Sequence, residues 1–191
     1  MNYHAYGCGC PTGDILLPHC PIHGDPLQRN DQLKLRGRFG FDIFDADGKF
    51  LKHIDILNTV TSSGITDLLG VAFAAGTQKT TWFFGLIDNA GFSAISAADT
   101  AASHAGWVES TAYTEATRQA WTPTVTGGTI TNPTAPTFTA SGVVTLKGAF
   151  IVSSNVKGGS AGQLWSAGAF SSTQALSTSQ TLKPTYSLAL G

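Results

Sequence analysis

The sequence predicts a mainly β protein: an antiparallel sandwich or jelly-roll-like domain with one short helix, preceded by an irregular, metal-clipped N-terminal arm. Three observations carry this. Apolar residues alternate at period two through several segments punctuated by Gly, Pro, Asn and Ser. Charge is sparse, at 12% of 191 residues, while apolar residues make up an ordinary 42% and Ser plus Thr about a fifth. All the cysteines fall in a short, aperiodic opening stretch. A β-rich chain kept soluble by hydroxyls rather than charges has this composition, and such surfaces suit a protein packed against copies of itself or a partner.

The arm spans residues 1–31, rich in Gly, Pro, Cys and His. It holds little apolar mass and needs a staple to keep a shape. "CGCPTGDILLPHCPIHG" supplies Cys8, Cys10, Cys20 and His23, a complete Cys3His tetrahedral set for structural zinc. Cys20-x-x-His23 matches half of a zinc knuckle, whereas Cys8-x-Cys10 is tighter than the usual spacing. His4 and His19 are alternative donors, and reduced free thiols or one disulfide with a leftover thiol are alternative states. With four ligands and no vacant position, such a site holds the arm rather than running a reaction.

Residues 32–191 form the β-rich domain. Residues 32–60 read as a hairpin: Leu35, Phe39, Phe41 and Ile43 alternate, Asp47-Gly48 marks the turn, and Ile54 and Ile56 alternate against His53 and Asp55. "DADGKF" lacks the third acidic ligand and the distal Glu of a calcium loop, so the turn reading stands. Residues 61–76 read as a helix capped by Thr61, Ser62 or Ser63. Its apolar face is Ile65, Leu68, Leu69, Ala72 and Phe73, and Gly76 is its C′ residue. The helix is expected to pack on one face or end of a sandwich built from residues 80–191. There "TTWFFGLID" is a central buried strand, a weak helical turn lies near Ser96–Ala102, and "VKGGSAG" is a flexible loop. Trp82, Trp107, Trp121 and Trp165 read as core or interface anchors, with a sugar-stacking surface as the alternative.

A formal net charge of −1 advertises no nucleic-acid partner, and no basic amphipathic stretch advertises a membrane surface. No apolar run approaches the ~20 residues that span a bilayer. No signal peptide is visible, so assembly in a reducing cytosol is expected. His53, His104, Asp88, Asp99 and Glu109 are scattered acid–base groups without a nucleophile elbow or paired carboxylates, so no enzyme is expected.

One run has a more specific pattern. Trp82, Gly85-Leu86-Ile87, Phe92, Asp99-Thr100, His104-x-Gly106-Trp107-x-Glu109, Tyr113 and Arg118-x-x-Trp121 are followed by Gly148-Ala149-Phe150, Gly158-Gly159 and Leu164. Over residues 55–190 this resembles a family of small virion proteins of tailed bacteriophages. The resemblance implies a structural virion protein, assembled in the host bacterial cytoplasm and located in the virion. Its expected partners are the major capsid protein and copies of itself. A capsid decoration or cement protein is the first reading, and a tail, adaptor or fibre component the second. A small glycan hydrolase is a distant third, because no carboxylate pair is nominated for it. Within the run, Glu109 is expected to pair with Arg118, and His104 to donate to Asp99.

Overall fold

The computed structural model describes residues 35–190. The zinc set Cys8, Cys10, Cys20 and His23 lies outside the described residues, so the metal-clipped arm is not part of the described fold. Two antiparallel sheets pack face to face. The first runs β2 (Phe50–Leu57), β1 (Leu35–Phe44), β12 (Thr181–Leu190), β8 (Thr129–Thr131), β7 (Thr124–Thr126), with β9 (Phe138–Thr139) also on β12. The second runs β3 (Thr59–Val60), β11 (Leu164–Leu176), β10 (Val144–Val152), β4 (Trp82–Asp88), β5 (Glu109–Ser110), with β6 (Gln119–Trp121) also on β4. The hairpin is thus no separate piece. β1 pairs along its length with β12, Leu35 opposite Leu190 through Phe44 opposite Thr181.

The period-two pattern fixes which side chains face inward. Phe39, Phe41 and Ile43 of β1, Leu182 and Tyr186 of β12, Phe84 and Leu86 of β4, and Phe170 of β11 fill the space between the sheets. The hairpin loop uses Asp45 as its organiser, with Oδ1 accepting from the Asp47 and Lys49 amides at 3.1 and 2.8 Å. Gly48 takes the left-handed conformation. Pro184 sits in a strand with neighbours on both sides, but β8 and β9 leave a gap beside it. The Asn132 side chain fills that gap, accepting from the Tyr186 amide and donating to the Pro184 carbonyl.

β4 is buried on both faces, which explains its unbroken apolar run. Ile87, with Phe150 and Val152 of β10, points away from the inter-sheet core into a second cluster closed by Ala101 and Trp107. The covering segment, residues 89–108, forms turns; the helical turn expected at Ser96–Ala102 is absent. Asp99 instead organises an irregular turn, its carboxylate accepting from the Ser96 amide. Ser and Asp hydroxyls and carboxylates compete for backbone donors and favour turns over helix here.

The helix α1 spans Ser62–Phe73, and two expectations about it fail. First, the expected apolar face is largely exposed. Ile65, Leu68, Leu69 and Phe73 are 39, 39, 50 and 85% accessible, and only Gly64 is buried, against Trp165. A larger side chain at position 64 would strike the Trp165 carbonyl, so contact with the sandwich turns on this small residue and on Thr61. The Thr61 Oγ1 accepts from the Gly64 amide at 3.0 Å and donates to the Leu164 carbonyl at 2.7 Å. Second, the residue in the left-handed C′ conformation is Ala75 (φ 53°), while Gly76 lies one further on and donates to the Gly70 carbonyl. A β-carbon in that conformation costs about 1 kcal/mol. Ala75→Gly is therefore expected to stabilise the fold by roughly 0.5–1 kcal/mol, read as a raised urea midpoint.

Candidate functional site

Three residues of the specific run, Gly85, Trp107 and Arg118, meet around the ring of a fourth, Phe150, while Trp82, Tyr113 and Trp121 join the inter-sheet core. Phe150 of β10 stands where Gly85 of β4 lacks a side chain; a β-carbon there would lie 2.1 Å from the ring. Trp107 packs on Phe150 with centroids 5.1 Å apart, and the Arg118 guanidinium lies 5.2 Å from its centroid. Sequence spacing separates these residues, and the antiparallel pairing of β4 with β10 unites them.

The expected Glu109–Arg118 pair forms, and it is buried, with side chains 7 and 3% accessible. Arg118 donates through Nε to Glu109 Oε1 at 2.9 Å and through Nη2 to Oε2 at 2.7 Å. Its remaining reach goes to the Ser154 and Gly159 carbonyls at 3.0 and 2.6 Å. Glu109 Oε2 also accepts from the Gly158 amide at 2.9 Å. The "VKGGSAG" loop is therefore not free. Arg118 and Glu109 hold it from one side, and Lys157 holds it from within, donating to the Tyr113 and Glu115 carbonyls. The Tyr113 hydroxyl beside this pair is pushed above its ordinary pKa, first by burial and then by the nearby Glu109 charge.

The His104–Asp99 expectation is corrected. Asp99 Oδ2 accepts from the Trp107 indole N–H at 2.9 Å. His104 instead stacks on Trp107 at 3.9 Å between centroids, and its Nδ1 lies 2.9 Å from the Trp107 carbonyl. A carbonyl only accepts, so Nδ1 carries the proton.

A second polar group lies on the outer face of the first sheet. His53 Nδ1 is 2.6 Å from Asp42 and Nε2 is 3.3 Å from Asp55, which also accepts from Arg38 at 2.7 Å. The hydrogen bond to Asp42 is the largest influence and raises the His53 pKa; burial opposes it, and Asp55 adds to the rise. The folded chain thus keeps this proton at pH values where the unfolded chain has lost it. The resulting stability is fully present below about pH 6.5 and fades as pH rises through the raised folded value. His53 is half exposed, so the effect is under about 1 kcal/mol. His53→Gln is expected to flatten the fall of Tm as pH rises above about 6.5.

Trp107, Trp121 and Trp165 are buried in the core, as expected of anchors, and Trp82 packs against it. Trp82, Trp121 and Trp165 also line one cleft of about 250 Å³, walled by Leu68 and Val71 of α1 and by Ile130 and Leu188. Asp67 and Lys79 pair at the cleft. Sequence reasoning missed this cleft. The available signal was α1 itself, whose Ile65, Leu68, Leu69, Val71, Ala72 and Phe73 offer more apolar surface than one contact face can bury.

Chemically, Asp45, Asp55, Asp67, Asp88, Asp99, Glu109 and Glu115 are engaged as acceptors for indole, guanidinium, ammonium and amide donors, and Asp42 pairs with the His53 imidazole. Among the described residues, neither His53 nor His104 hydrogen-bonds a hydroxyl. Among the described residues, no group of three or more His, Cys, Asp or Glu side chains is placed to hold a metal ion, and no helix is long and apolar enough to cross a membrane. No protein-family model matches the chain, and no curated protein sequence matches it.

Proposed function

We propose that the protein is a structural component of a tailed-bacteriophage virion, a decoration or cement protein that binds the capsid shell in many copies. The observation that supports this most directly is the packing of Gly85, Trp107 and Arg118 of the virion-like run around Phe150. The run's polar members, Asp99, Glu109 and Arg118, are spent on locking turns and a loop onto the sheet. A rigid, weakly charged sandwich with an exposed apolar helix suits attachment to a protein lattice. The major capsid protein is the partner in this reading.

Copy number per purified virion, measured by quantitative mass spectrometry against the major capsid protein, tests it. A count comparable to the capsid protein is expected. A few copies to a few dozen would replace cement with a tail, adaptor or fibre role, and absence from the particle would end the virion reading.

The zinc set belongs to the same proposal as a clip for the arm. Metal analysis of the purified chain is expected to find about one zinc, lost on Cys20→Ser or chelation. Full-length protein without zinc would remove the clip and leave the sandwich unaffected.

A further inference from the structure

The exposed face of α1 has no counterpart in the described fold. Asp67 is the helix's one charged residue, and Lys79 pairs with it. A helix apolar on more than one side needs cover on more than one side. The sandwich meets it through Thr61 and Gly64, and Leu68 and Val71 wall the cleft, while Ile65, Leu69 and Phe73 form an adjoining stripe at i, i+4, i+8 that faces outward.

We infer that α1 is the interface between two copies of this chain, with Phe73 of each copy seated in the tryptophan-floored cleft of the other. Three arguments select a second copy. A two-fold interface uses one patch on both subunits, so that patch must carry both a protrusion and a recess. α1 carries both: Phe73 is 85% exposed at its C-terminal end, and Leu68 and Val71 wall a cleft of about 250 Å³, enough for an aromatic side chain. Charge does not oppose the pairing, because the only charge on α1 is neutralised within its own copy. The area also suffices. At ~200 Å² for a fully exposed large side chain, the four exposed residues of α1 offer about 400 Å² per copy. Two copies together fall within the apolar share of a stable interface of roughly 1,200–2,000 Å². The floor of Trp82, Trp121 and Trp165 supplies the large, rigid side chains that dominate interface energetics.

Sedimentation velocity on the purified full chain, from roughly 1 to 500 µM, tests this without any particle present. A monomer–dimer equilibrium with Kd on the order of 10 µM is expected. Leu69→Ser and Phe73→Ser should each weaken it at least about tenfold. Both positions are exposed, and unchanged circular dichroism and thermal unfolding would show that each variant still folds. Val143→Ser is the control: Val143 is 82% exposed, next to Val144, which pairs with Leu176 at the far end of β11 from Trp165. A monomer throughout the range overturns the inference, as does a dimer insensitive to Leu69→Ser. A dimer that loses affinity with Leu69→Ser but not with Phe73→Ser overturns the seating of Phe73. The virion reading fails separately: a monomer present at capsid stoichiometry rejects this interface and keeps that function, and a dimer absent from particles does the reverse.

Discussion

Arg118→Met is expected to destabilise the folded chain by about 3–5 kcal/mol. Removing the guanidinium leaves Glu109 buried with a charge that, among the described residues, no cation neutralises, since there the Gly158 amide is its one other donor. It also strips donors from the Ser154 and Gly159 carbonyls, so the loop between β10 and β11 loses its latch. The penalty is the uncompensated carboxylate more than the lost attraction, and this gives a second arm to the test. Arg118→Met combined with Glu109→Met removes both charges and should recover most of the loss. Urea unfolding of wild type, the single and the double variant measures both quantities. A single variant within about 1 kcal/mol of wild type would mean that the pair is not desolvated as its 3 and 7% accessibilities require.

The sequence made that pair legible, and its limits are equally specific. Glu109 and Arg118 stand nine positions apart within one recognisable run, so their proximity was readable, as was the burial of β4 from its unbroken apolar stretch. The loop at 156–162 misled because Gly-Gly and Ser report backbone freedom. What removes that freedom is a side chain about 40 positions away, Arg118. His104 and Asp99 misled for a related reason: opposite polarity at short spacing suggested a bond, but the indole N–H of Trp107 needed an acceptor inside the cluster and took Asp99. The apolar pattern of α1 was read correctly as helical. Periodicity tells which residues share a face, however, and not whether the same chain covers it. That depended on how closely α1 approaches Trp165, which Gly64 and the Thr61 cap decide.

Close approach is also what makes Gly148→Ala the most damaging small substitution expected in the sandwich. Gly148 sits in β10 opposite Ala169 of β11. A β-carbon there would lie 2.0 Å from the Gly168 carbonyl oxygen and 3.0 Å from the Ala169 Cα, both backbone atoms in a central strand. No rotamer change relieves that contact. β10 would have to move away from β11, yet on its other edge β10 pairs with β4, Gly148 opposite Ile87. The added methyl therefore forces two ladders and both faces of the second sheet, with an expected loss above about 4 kcal/mol and a matching fall in Tm. Gly70→Ala supplies the contrast: that glycine is in the interior of α1 with open space around it, and its alanine variant should stay fully folded. If Gly148→Ala unfolded at the wild-type midpoint, β10 and β11 would have to lie farther apart than the register and this contact place them.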